Sequence, residues 1–147
     1  MKAIHVLFLL IFVFSCSMPE SDNFKFDSPR FENVEEACLW INNNIRYKKD
    51  ANDYWKLPQE TLDDRSGDCE DQALLLMGIV KYQMGDDLEL IVVDSSGNYS
   101  EYHALARKGN TYYDCTNGSE TNGLKYNIVS TYDYDSAMYT ARYIKNY

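Results

Sequence analysis

Gly67-Asp68-Cys69-Glu70-Asp71 runs without a break into Gln72-Ala73-Leu74-Leu75-Leu76-Met77-Gly78-Ile79-Val80, a junction that places a cysteine where an apolar helix begins. The first amides of a helix are unpaired and its dipole is positive there, so a thiol at that point is expected to shift toward thiolate, the nucleophilic form. A buried structural residue is the plainer reading, since free Cys usually behaves as a small hydrophobe. The helix is expected from Cys69 to about Met84, with Asp68 as its N-cap, Asp71 at its third position and Gly85 as its stop.

Upstream, Asn33 precedes Val34 to Ile45, where apolar residues at 34, 37, 38, 41 and 45 trace one face of an amphipathic helix. Lys48 to Trp55 reads as turn, and Leu57-Pro58-Gln59-Glu60-Thr61-Leu62 as a short helical turn opened by the proline. Downstream, Leu88 to Asp94 has the composition of a buried strand, and Ser95-Ser96-Gly97-Asn98 turns the chain. Glu101 to Lys108 and Thr111 to Thr116 flank Gly109-Asn110, a pair suited to a tight hairpin. Thr116 to Lys125 reads as loop and Tyr126 to Val129 as a further strand, while Ser136 to Tyr147 suits helix or strand equally. The 13 tyrosines are assigned to packing. These elements predict an α+β domain, with the helix that begins at Cys69 packed on an antiparallel β-sheet.

With Gly109 and Asn110 as the loop, Lys108 faces Thr111, Leu105 faces Asp114 and His103 faces Thr116. Side chains alternate along strands, so positions 103, 105, 112 and 114 share a face. His103 and Asp114 are then diagonal neighbours, about 7–8 Å apart at the backbone, a gap that an imidazole and a carboxylate bridge with a hydrogen bond. Taken singly, each is an ordinary strand residue. Taken with Cys69 they are the set that acyl transfer needs: a nucleophile, a base that later protonates the leaving amine, and an acid that orients the base. The Cys69 amide and one further donor would stabilise an oxyanion; Trp55 and Gln59 are the candidates, with packing beside the helix entrance as their other role.

The 147 residues predict one domain, without linker or repeat. Met1-Lys2 and the apolar run Ala3 to Phe14, too short to span a bilayer, read as a secretion signal over residues 1–15. Val13-Phe14-Ser15-Cys16 resembles a bacterial lipoprotein signal, although Phe14 is bulkier than the usual residue there; the alternative is export without a lipid. The resemblance implies a lipidated Cys16 at the mature N-terminus, a polar tether over 16–30 and a folded domain over 31–147. His5 leaves with the signal, which makes His103 the sole mature histidine. Lys2 is the one charged residue of 1–15, so the net charge moves from −9 to −10 and disfavours nucleic acid and anionic lipid head groups as partners. Exported cysteines tend to pair, and Cys38, Cys69 and Cys115 are an odd set in which at least one thiol stays free. Whether Cys38 and Cys115 pair is open in the sequence.

Trp55 to Leu62, Gly67 to Ala73, His103-Ala104-Leu105 and Asp114 together resemble the bacterial transglutaminase-like cysteine proteinases of the papain-like superfamily. The family order Cys, His, Asp recurs with gaps of 34 residues (69 to 103) and 11 residues (103 to 114), and the similarity covers Val34 to Asp114. The resemblance implies Cys69 as nucleophile, His103 as general base and acid, and Asp114 as the orienting acid. Some periplasmic relatives that release adhesins bind calcium through acids flanking the cysteine, here Asp68 and Glu70, whose plainer roles are helix cap and first-turn acid. The expectation is an exported thiol hydrolase that cleaves peptide or isopeptide bonds of a cell-envelope protein through a thioester, with no cofactor required and calcium as a side possibility. Transamidation by the same residues, and a non-catalytic lipid-anchored binding module of the same fold, stand as alternatives.

Overall fold

The computed structural model describes residues 28–51 and 54–143. The signal sequence expected over 1–15, Cys16 and nearly all of the tether lie outside the described residues.

Asn33 caps helix α1 (Val34–Asn44) by accepting the Glu36 N–H at 2.8 Å, and the helix buries Ala37, Cys38 and Ile41 as its apolar spacing requires. Strand β1 (Arg46–Tyr47), helix α2 (Pro58–Asp64) and strand β2 (Ser66–Gly67) follow. The β1–β2 pairing is parallel and only two residues long, inside stretches with no strand pattern, so sequence reading passed over it. Helix α3 (Cys69–Ile79) continues as a π-helical turn, Val80–Met84, until Gly85 stops it at φ 65°. Leu74, Leu75, Leu76 and Ile79 are 0% exposed, so α3 is apolar all round and forms the centre of the core.

Five antiparallel strands make the main sheet: β3 (Glu89–Asp94), β4 (Tyr102–Lys108), β5 (Thr111–Asp114), β6 (Ser119–Asn122) and β7 (Asn127–Tyr132), in the spatial order β6-β5-β4-β3-β7. Helix α3 packs on β4, where Ala104 and Ala106 are small enough to let the helix close on the sheet. Helix α4 (Tyr134–Tyr143) buries Ala137, Met138 and Ala141 against the same core, so the ambiguous C-terminal segment is helix as far as the described residues reach. Ile91, Val93, Leu105 and Tyr112 form a second, smaller cluster. The expected α+β architecture, a central helix on an antiparallel sheet, is the one observed.

The β4–β5 register is the one derived from the turn: Lys108 pairs with Thr111, Arg107 with Tyr112 and Ala106 with Tyr113. Gly109 takes φ 58° while Asn110 stays at negative φ, the pattern of a two-residue II′ turn. One expectation fails here. Thr116 to Lys125 is not all loop, because Ser119–Asn122 pairs with β5 as strand β6. All four of its residues are exposed, so neither face is buried, no apolar alternation marks it, and backbone pairing alone makes the strand.

Candidate active site

The motif at the start of α3 is built around a buried acid. Asp71 is 1% exposed; its carboxylate accepts the Lys56 N–H at 2.7 Å and the Asp68 N–H at 3.3 Å. The second bond is one arm of a capping box, and the first latches the Trp55-Lys56 segment to the helix. Gly67 is required by the same acid: a Cβ at position 67 would stand 2.6 Å from the Asp71 Cβ and 2.8 Å from its Oδ2. Burial raises the Asp71 carboxyl to about 7, against the pull of these backbone donors.

Cys69 is the first residue of α3, as expected, but its thiol is not shifted toward thiolate. Burial first, and then the negative Glu70, push it from 9.0 up to about 12. The helix dipole is worth about 0.3–1 kcal/mol at such a position, whereas a rise of this size corresponds to about 4 kcal/mol, so burial and charge win. The thiol donates to Glu70 Oε2 at 3.1 Å. Glu70 is buried too, and desolvation followed by repulsion from Asp68 raises it to about 7.

His103 and Asp114 meet as the register requires, with Nε2 2.8 Å from Oδ2. The carboxylate can only accept, so Nε2 carries the proton and Nδ1 is left as the basic nitrogen. Asp114 is itself held on all sides: Oδ1 accepts from the Thr116 amide (3.0 Å) and hydroxyl (2.6 Å), and Oδ2 also accepts from Asn117 Nδ2 (3.0 Å). Burial pushes its carboxyl up, but the bonds from His103 and Thr116 outweigh burial and hold it below 3.8. Thr116 and Asn117 escaped sequence reading. An acid followed two residues later by threonine is an Asx-turn signal that would have found the first of them.

Cys69 and His103 line one cavity of about 710 Å³, together with Tyr47, Trp55, Tyr102 and Tyr132. Asp114 is not in its wall and stands behind His103. Of the two candidate oxyanion donors, Trp55 is in the wall, set edge-on to Tyr132 with ring centroids 5.2 Å apart. Gln59 is not in the wall; it donates its amide to Asp63 at 2.8 Å. Three tyrosines therefore belong to the site although tyrosine count alone pointed only to packing.

Asp68 is 4% exposed, and its Oδ1 is buried with no hydrogen-bond partner. Burial raises the Asp68 carboxyl, and the negative Asp68 in turn raises Glu70, a repulsion that a cation would relieve. Their hard oxygen donors suit calcium in kind. Among the described residues no group of three or more His, Cys, Asp or Glu side chains is placed to hold a metal, so an ion here would draw its remaining ligands from backbone or water.

No protein-family model matches the sequence, and no curated protein matches it. Among solved structures, Legionella pneumophila LapG aligns with a TM-score of 0.50 and 20% identity, covering 70% of this chain and 67% of LapG. The calcium-bound form of LapG gives the same figures. At this identity the likeness is one of fold, and it agrees with the helix-on-sheet core described above: the chain has the transglutaminase-like fold of LapG.

Proposed function

We propose that the chain is an exported cysteine peptidase of the transglutaminase-like type, cleaving peptide or isopeptide bonds in proteins of the cell envelope. The observation that carries this reading is the 2.8 Å bond that turns the Nδ1 of His103 into a base, in the wall of the cavity where Cys69 opens a helix. In the reaction the Cys69 thiol leaves Glu70 and passes its proton to His103 Nδ1 as sulfur attacks the substrate carbonyl. The Cys69 amide and the Trp55 indole N–H receive the oxyanion. His103 returns the proton to the leaving amine, which departs and leaves a thioester on Cys69. Water then enters, His103 takes its proton, and the acid product and free thiol are released. Asp114 keeps the imidazole in its working tautomer and balances its charge.

Calcium held by Asp68 and Glu70 would place positive charge among buried acids beside the thiol. The buried Oδ1 of Asp68 without a partner favours that second reading. Residues 1–15 act as the signal, Cys16 carries the lipid and 31–147 form the catalytic domain. Among the described residues, no helix is long and apolar enough to cross a membrane.

Comparing envelope proteins exposed to the wild type and to Cys69→Ala tests the reading directly. A fragment or released protein that depends on Cys69 is expected; identical patterns from the wild type and Cys69→Ala reject catalysis. Incorporation of a labelled amine into a glutamine peptide faster than hydrolysis would make the activity transamidation instead.

A further inference from the structure

We propose that Cys38 and Cys115 form a disulfide in the mature protein, bonding helix α1 to the end of the strand that carries Asp114. The two residues are 77 positions apart in sequence, 2% and 3% exposed, and their sulfurs lie 3.1 Å apart. That is about 1 Å beyond a covalent S–S bond. Both backbones are held there by contacts that do not involve sulfur. Asn42 of α1 donates its amide to the Thr116 carbonyl at 2.8 Å, and a Cβ at Gly118 would stand 3.2 Å from both Asn42 and Leu39. Cys69 has a different place, at the cleft with its thiol on Glu70, so the pairing resolves the odd set of three with the candidate nucleophile left free.

The oxidant is a disulfide donor of the thiol-oxidase kind, with oxidised glutathione as its laboratory equivalent. Cys38 thiolate attacks one donor sulfur and forms a mixed disulfide, releasing one donor thiol. Cys115 thiolate then attacks the Cys38 sulfur and releases the second. Two protein thiols are oxidised, one donor disulfide is reduced, and the two protons pass to the departing donor thiolates. Burial, and then the facing Cys38, push the Cys115 thiol far up, and no reagent reaches either sulfur in the folded state. The exchange therefore occurs during folding, and the finished bond resists reductants until the chain unfolds.

The proposal rests on export and is independent of catalysis. The test uses the full chain produced with its own leader in a bacterial host, its thiols trapped with N-ethylmaleimide under denaturing conditions before digestion with trypsin. The expected product is one linked pair of peptides, 31–46 with 109–125, with Cys69 alone alkylated. Reduction in denaturant followed by refolding with reductant, or Cys38→Ala with Cys115→Ala, is expected to lower the thermal midpoint by about 10 °C. Any link to Cys69 overturns the proposal, as do alkylated Cys38 and Cys115 both in cells and after refolding with oxidised glutathione. Alkylation in cells followed by linkage on refolding overturns the bond in the mature protein while locating the failure in export.

Discussion

Replacing Glu70 with glutamine keeps an acceptor for the Cys69 thiol and removes the negative charge that faces it. The thiol and the carboxylate are 3.1 Å apart, and two unit charges at that distance repel by about 5 kcal/mol at an effective dielectric of about 20. The carboxylate spreads its charge over two oxygens and its side chain can swing away, so about half of that, 2–3 kcal/mol, is a fair expectation. This corresponds to a roughly 100-fold gain in thiolate at a given pH. Burial remains, so the variant thiol still titrates above 9.0. The effect carries a pH signature, because Glu70 itself ionises near about 7. Well below that value the carboxyl is neutral and the two proteins should react alike; above it the wild type should fall behind, by at least tenfold. Iodoacetamide alkylation of Cys69, followed by intact mass in the presence of a chelator, reads the rate directly. Parallel profiles across the whole range, or a slower Glu70→Gln variant at high pH, would refute the account of why this thiol is held protonated.

Asp114→Asn should lower turnover by about 10⁴-fold, the scale seen when a catalytic histidine is held in the wrong tautomer, and kcat with folding checked by circular dichroism measures it. Because Asp114 is held below 3.8 in the folded state, it contributes stability at neutral pH that is lost as pH falls through that lowered value, and Asp114→Asn should flatten the acid limb of a stability profile. Asp71 behaves oppositely. Its folded carboxyl is raised from 3.8 to about 7, so its contribution is complete below 3.8 and is lost as pH rises through about 7; Asp71→Asn should reduce the loss of urea stability over that window. Gly67→Ala forces a methyl against Asp71 and should cost about 2–3 kcal/mol in urea unfolding, and an unchanged midpoint would refute the packing argument. If Asp68 and Glu70 hold calcium, a concentration 100-fold above Kd should add about 2.7 kcal/mol to the stability of the wild type and much less to Asp68→Asn; equal thermal midpoints with calcium and with chelator reject the site.

What could be read from the chain depended on how locally each feature is encoded. The α1 stripe, the Pro58 turn, the Gly85 stop and the 108–111 register each rest on a few neighbouring residues and a fixed geometric rule, and all are present. The His103–Asp114 bond was reachable because a two-residue turn propagates its register five residues away. Strand β6 was not legible, since an exposed polar strand has no pattern to show, and β1–β2 is too short to have one. The state of Cys69 was misread for a different reason. A helix start is visible in sequence, but the burial of its first residue, which outweighs the dipole, exists only once the chain has packed around it.

The five residues Gly67 to Asp71 thus divide their work in a way that the motif alone conceals. Gly67 is there for space and Asp71 for two backbone hydrogen bonds; both serve to fix the entrance of α3 and the Trp55 segment beside it. Asp68 and Glu70 add buried negative charge that keeps the thiol protonated in the free protein, the reverse of what a helix start by itself provides. Of the five, only Cys69 is the nucleophile of the proposed reaction. Conservative changes at Gly67 or Asp71 should therefore be read out as stability, whereas changes at Glu70 should be read out as thiol reactivity. A variant of Glu70 that lost stability in proportion to its gain in reactivity would contradict that division, because an acid raised by burial is expected to leave the fold at least as stable above pH 7 when its charge is removed.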